Sequence, residues 1–179
     1  MKTLKEDETM KRKLIFKGKI FTLEQRVVTI RDKEYIRDII VHPGGVGVLV
    51  IIDEKILLVK QVRHSINEET LEIPAGKLEY GEDPDFAGRR ELNEEAGYEC
   101  DQLKPVCAFL STPGFCDEKI WIYEAVHPVE TSHRLSMDED EEIIKVWIDI
   151  NEAYKMIQEG KIVDGKTIIA IQYAILQRR

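Results

Sequence analysis

The apolar positions along the chain change their spacing several times, and each change marks an element. Residues 1–12 are polar and charged and are expected to fray. Residues 14–16 are a short apolar stretch. Residues 20–30 are rich in Val, Ile and Thr, and residues 35–41 resume the pattern after the turn Arg31-Asp32-Lys33. This predicts a small antiparallel sheet, broken at His42-Pro43-Gly44-Gly45. Residues 46–52 and 56–62 are nearly continuous apolar runs joined at Asp53-Glu54-Lys55, a pattern that suits strands buried on both faces beneath helices. Asp83-Pro84 then opens a helix over 84–96, with Asp as the cap, Pro in the first turn and Gly97 as the stop. Further strands are expected at 106–110, 120–126 and 144–148. One helix is expected from about Asn151 to Gly160, and another after Asp164-Gly165. The order implies an α/β (α+β) chain with a mixed sheet between helices. Its strand-rich N-terminal part spans 1–43 and its main domain 44–179.

Composition narrows the functional classes. A chain of 179 residues can bury a core without disulfides or a structural metal. Its 26 basic and 34 acidic residues leave a net charge of −8, which argues against a general nucleic-acid binder. An acidic small-molecule ligand is still open to it, because clustered carboxylates recruit divalent cations. No apolar run reaches the roughly 20 residues of a bilayer span, so no membrane partner is expected. The N-terminus lacks the apolar stretch of a signal peptide. Cys100, Cys107 and Cys116 are odd in number and have no metal-ligand spacing, so they read as reduced thiols of a cytoplasmic protein.

The candidate chemistry lies between Gly76 and Tyr98. On the helix expected at 84–96, Glu91, Glu94 and Glu95 fall at i, i+3 and i+4 and share one face. Like charges that close repel unless they are solvated, paired or bound to a cation. Mg²⁺ and Mn²⁺ take such oxygen ligands together with substrate phosphates. On spacing alone the same face reads first as a solvated surface, neutralised by Arg89 and Arg90.

The full pattern decides between these readings. It runs Gly76, five residues, Glu82, seven residues, Arg90-Glu91-Leu92, one residue, Glu94-Glu95, one residue, Gly97. This resembles the signature of the Nudix hydrolases, departing only at Tyr98, where the family usually has an aliphatic residue. Seven fixed identities would arise by chance in such a chain roughly once in a million. The resemblance implies a Nudix-like α/β/α sandwich that hydrolyses a nucleoside diphosphate linked to another group, with Mg²⁺ or Mn²⁺ as cofactor. By resemblance Glu91 and Glu95 are metal ligands, with Glu94 close by, and the carbonyl of Ala75 also reaches a metal. Arg90 holds a box carboxylate in place, Glu95 and Arg90 count with the catalytic set, Glu82 orients the loop, and Gly76 permits a tight approach of the loop.

Features outside the box resemble the ADP-ribose pyrophosphatase branch. They are Gln61-Val62-Arg63, the run Leu71-Glu72-Ile73-Pro74-Ala75-Gly76, Pro113-Gly114 beyond the box, and the acidic stretch Glu139-Asp140-Glu141-Glu142 before the strand at 144–148. By that resemblance Glu139 is the catalytic base and Glu141 a further metal ligand, with Glu142 and Glu118 as alternatives for the loop register. Phe21, Arg37, Arg63, Glu72, Pro113 and Gly114 are the substrate-binding candidates. The N-terminal strands would exchange with a second subunit to make a homodimer. The implied substrate is a nucleotide diphosphate, ADP-ribose first and other nucleotide sugars or dinucleotides next. A binding module that has lost catalysis is the reading from a different class. The four histidines, His42, His64, His127 and His133, show no zinc spacing.

Overall fold

The computed structural model describes residues 11–136 and 143–178. The chain divides into two compact units, Met1–Gly44 with Leu110–Lys119, and Gly45–Phe109 with Ile120–Arg179.

The first unit is built on an antiparallel sheet of β1 (Arg12–Lys17), β2 (Thr22–Ile30) and β3 (Lys33–Val41), in that order. Its β2–β3 hairpin closes at Arg31 and Asp32, both with positive φ, which matches the twist of the flanking strands. The segment 110–119 joins this unit by backbone bonds from Ile40 N–H to Phe115 O and from Asp117 N–H to Ile40 O. Its sheet leaves Leu14, Phe16 and Ile36 exposed.

The second unit begins with β4 (Gly45–Leu49), β5 (Ile51–Ile52), β6 (Lys55–Arg63), β7 (Glu68–Glu72) and β8 (Ala75–Lys77). Helix α1 (Pro84–Glu91) runs on into a wider π turn over Leu92–Ala96. Then follow β9 (Tyr98–Glu99), β10 (Gln102–Leu110), β11 (Lys119–Val126), β12 (Val129–Glu130) and β13 (Ile144–Asp149). Helices α2 (Ile150–Gln158) and α3 (Gly165–Leu176) close the chain. One sheet has the order β10-β11-β4-β8 and is mixed: β4 lies parallel to β11 and antiparallel to β8. The other has the order β13-β6-β5 and is antiparallel, with β7 on the far half of β6.

The expected burial on both faces is observed for β4 and for residues 56–59 of β6, while Val62 is exposed, and it gives the sandwich. Val48, Val50 and Leu57 pack with Leu92, Ala96, Tyr98 and Leu103 on the α1 side. Their neighbours Leu49, Ile56 and Leu58 pack with Ile150, Ala153, Ala170, Ile171 and Ala174 of α2 and α3. Successive residues of a strand point to opposite faces, so two adjacent apolar residues feed two separate cores.

Two local expectations are corrected. The helix at 84–96 is not uniformly α. Its last turn widens, and Gly97 N–H bonds both Asn93 O and Leu92 O before the chain turns through the left-handed Gly97 (φ 69°). Partners outside the helix hold the turn open: Arg134 donates to the carbonyls of Glu94 and Glu95, and Lys145 to that of Ala96. These cations also suit the negative end of the helix dipole. The stretch 68–77 forms β7 and β8, which the sequence pattern does not announce.

Candidate active site

The acidic turn and the strand facing it both belong to the second unit. Strand β8 pairs with β4 so that Gly76 lies opposite Val46, and Pro74 O takes the Val48 N–H. Asp83 caps α1 by accepting from Asp85 N–H and Phe86 N–H, which sets where the helix starts. The result brings the Glu91 carboxylate directly over Gly76. A Cβ at residue 76 would lie 1.9 Å from Glu91 Oε1. Gly76 is therefore required for space. It sits in strand β8, where the Glu91 carboxylate occupies the space that a side chain would fill.

Arg90 binds the turn together. Its Nη1 donates to Glu91 Oε1 and to Glu94 Oε2, both at 2.8 Å. Its Nε donates to Glu82 Oε1 at 3.3 Å and its Nη2 to Lys77 O at 3.4 Å. Burial alone would lower the Arg90 pKa, but the hydrogen bond to Glu82 and the charges of Glu91 and Glu82 raise it. Burial likewise acts to raise the Glu82 carboxyl, yet the Glu79 N–H and Arg90 hold it below its ordinary value. Glu95 reaches the same strand one residue earlier and accepts the Ala75 N–H at 2.7 Å. Glu91 and Glu95 are 8% and 2% exposed, so neither is a solvated surface charge. Among the described residues no three His, Cys, Asp or Glu side chains converge as a ready cage for an ion. The oxygen-only donor set of this turn and the cradle at Gly76 nonetheless fit a hard divalent cation.

A second charged group borders the turn. Glu72 is 2% exposed. Its Oε1 accepts from Arg63 Nε (2.6 Å) and Thr70 Oγ1 (2.7 Å). Its Oε2 accepts from Arg63 Nη2 (2.6 Å) and Lys166 Nζ. Burial pushes the Glu72 carboxyl upward, but the Arg63 hydrogen bonds, the Lys166 charge and the bonds from Lys166 and Thr70 outweigh it and hold the pKa down to about 2. Lys166 also pairs with Asp164, the cap of α3, and Thr167 Oγ1 accepts the Ile73 N–H at 2.8 Å. The charge of Glu95 is felt at Arg63.

The structure thus brings Arg63, Glu72, Ala75, Arg90, Glu91, Glu94 and Glu95 into one unit. Four other candidates lie in the first unit. Phe21 is half-buried, with its ring 6.1 Å from that of Phe16. Arg37 stacks over Tyr35 and donates to Ile36 O. Pro113 and Gly114 sit in a turn closed by bonds from Phe115 N–H and Cys116 N–H to Thr112 O. Glu118, the reserve base, also lies there, 3.5 Å from His42 Nδ1. Glu139, Glu141 and Glu142 lie outside the described residues. Lys166 and Asn93 were not singled out from the sequence. Asn93 accepts the Leu135 N–H and donates to Thr131 Oγ1 and His133 O, tying the turn to the chain that leads toward residue 136.

The NUDIX domain family pattern matches residues 41–169, most of the chain, and includes the whole acidic turn. This chain belongs to the NUDIX family. It is 41% identical to the methanol dehydrogenase activator of Bacillus methanolicus, over 99% of this chain and 97% of that one. It is 38% identical to the ADP-ribose pyrophosphatase of Bacillus subtilis (strain 168), over 99% and 96%. Its fold is similar to a crystal structure of an ADP compounds hydrolase, with a TM-score of 0.82, 18% identity, and coverage of 94% of this chain and 92% of that one.

Two expected outcomes test the NUDIX turn and its neighbour. Gly76→Ala should displace Glu91 and lower turnover at least about 100-fold while the far-ultraviolet circular dichroism stays unchanged; kinetics and spectra on one preparation check this. Because the folded pKa of Glu72 is depressed, its contribution to stability is full above the unfolded value of 4.5 and is lost as pH falls toward about 2. That contribution is roughly 3 kcal/mol. Glu72→Gln should be less stable at neutral pH, and its urea midpoint should fall less steeply than wild type between those two pH values.

Proposed function

We propose that the chain hydrolyses the diphosphate bond of ADP-ribose to AMP and ribose 5-phosphate. The observation that carries this reading is the acidic turn cradled on Gly76, in a chain similar along nearly its full length to an ADP-ribose pyrophosphatase. Glu91, Glu95, Glu94, the Ala75 carbonyl and Glu141 are the residues that would hold Mg²⁺, or Mn²⁺ in its place. When bound, such a cation neutralises phosphate oxygens and acidifies water.

The protein's own part is placement and proton transfer. Arg90 keeps the carboxylates of Glu91 and Glu94 together before substrate arrives, so little reorganisation is left for the reaction. Arg63 offers guanidinium donors to the diphosphate or terminal ribose, and its bond to Glu72 fixes its plane. Glu139 takes the proton of the attacking water as that oxygen bonds to phosphorus and the bridging P–O bond breaks. Phe21, Arg37, Pro113 and Gly114 are assigned to the adenosine side.

The likeness to a methanol dehydrogenase activator favours a second reading, a dinucleotide diphosphate such as those that dehydrogenases use. We also infer a homodimer through the N-terminal sheet, supported by the exposed Leu14, Phe16 and Ile36. The unpaired Cys100, Cys107 and Cys116 fit a cytoplasmic location.

A panel of ADP-ribose, nucleotide sugars and nicotinamide and flavin dinucleotides with Mg²⁺, followed by chromatography of the products, tests the reaction. AMP and ribose 5-phosphate should form fastest from ADP-ribose. Glu95→Gln should lower that rate by about 100-fold or more with the fold intact, and near-normal turnover in saturating Mg²⁺ would remove Glu95 from the ligand set. For the dimer, Ile36→Glu with Phe16→Glu should shift the light-scattering mass from two chains to one. A wild-type protein that is already monomeric at micromolar concentration would dismiss it.

A further inference from the structure

Lys166 stands where a cation is out of place. It lies in the first turn of α3, beside the positive end of the helix dipole. It is also nearly buried, with its side chain 11% exposed. Two carboxylates hold it there, Asp164 at 3.0 Å and Glu72.

Charge balance accounts for its presence, since Arg63 and Lys166 match Glu72 and Asp164, but not for its placement on Glu72. Arg63 already forms a two-pronged pair with Glu72. What Lys166 adds is direction. Glu72 has four donors, two on each oxygen: Thr70 beside one prong of Arg63 and Lys166 beside the other. A carboxylate held at both oxygens cannot rotate, and a forked pair transmits its plane to the guanidinium. Arg63 uses Nε and Nη2 in that pair, and its side chain is 42% exposed. Its Nη1 edge therefore points wherever the plane of Glu72 directs it. The base beneath Lys166 is rigid. Asp164 caps α3 through Thr167 N–H (3.0 Å) and Thr167 Oγ1 (2.6 Å), and that hydroxyl accepts Ile73 N–H two residues before Ala75.

We propose that Lys166 is a positioning residue for substrate binding: acting through Glu72, it fixes the direction in which Arg63 presents its open guanidinium edge to an anionic oxygen of the nucleotide diphosphate. This rests on the site being a diphosphate site, as proposed above. α3, which supplies no group to the reaction, thereby controls how tightly the substrate is gripped.

The test compares wild type, Lys166→Met, Lys166→Arg, Arg63→Ala and the Arg63→Ala/Lys166→Met double variant. Steady-state kinetics with ADP-ribose and Mg²⁺ are paired with calorimetric binding of α,β-methylene ADP-ribose, which is not cleaved. Lys166→Met should raise KM and the analogue Kd about tenfold and leave kcat within about twofold. Lys166→Arg should restore most of the affinity. In the Arg63→Ala background, Lys166→Met should change Kd little, because the residue it acts through is gone. A purely structural role would lower Tm equally in both backgrounds and leave the coupling in Kd at zero, which would overturn the proposal. Unchanged KM and Kd in a folded Lys166→Met would do the same. If Lys166→Met does not fold, Asp164→Asn keeps the cap and loosens Lys166, and it should raise Kd in the same Arg63-dependent way. Wild-type protein that binds the analogue but does not cleave ADP-ribose would refute hydrolysis, and the Kd comparison would still decide the role of Lys166.

Discussion

Several carboxylates on one short turn of helix repel one another, and a buried turn cannot rely on water to screen them. Arg90 resolves this. One guanidinium nitrogen is shared by Glu91 and Glu94, and the rest of the group reaches Glu82 and the Lys77 carbonyl. Without that cation, Glu91, Glu94 and Glu82 would lose the charge that they share, and the link from the turn to the loop before α1 would weaken. The fold around the site can be understood as the means of bringing strand β8 and this turn within reach of one arginine.

The same solution appears a second time with different parts. Glu72 is buried between Arg63 and Lys166, and its low pKa shows that attraction exceeds the cost of burial. The two groups are mechanically joined. The chain that leaves Glu72 passes through Ile73, held by Thr167 of α3, and reaches Ala75, held by Glu95 of the turn. A shift of α3 would therefore be felt at the acidic turn through the three residues Ile73, Pro74 and Ala75. The widened π turn belongs to this arrangement, since its carbonyls are taken by Arg134 and Lys145.

Much of this was legible in the chain. The paired apolar runs of β4 and β6, the cap at Asp83, the stop at Gly97 and the spacing from Gly76 to Glu95 identify a sandwich with an acidic turn. Other features were not legible, for identifiable reasons. Residues 68–77 carry no apolar alternation, because Thr70 and Glu72 are buried by polar partners. The π turn leaves no mark, since Leu92-Asn93-Glu94-Glu95-Ala96 is equally compatible with a regular helix. Gly76 looks like a turn glycine, and only the position of Glu91 reveals that it is a space. Lys166 had a faint signal, a lysine in the first turn of a helix.

The sequence by itself determined most local choices: the paired apolar strands, the cap and stop of α1, and the acidic side chains that carry the chemistry. Those follow from steric preferences and hydrophobic period over a few neighbouring residues. Only the tertiary structure decided which charges meet. Lys166 and Glu72 are 94 residues apart in sequence, and Ala75 and Glu95 are 20 apart. Electrostatic pairing depends on distance in space and on the exclusion of water, and neither exists until the strands and helices have packed.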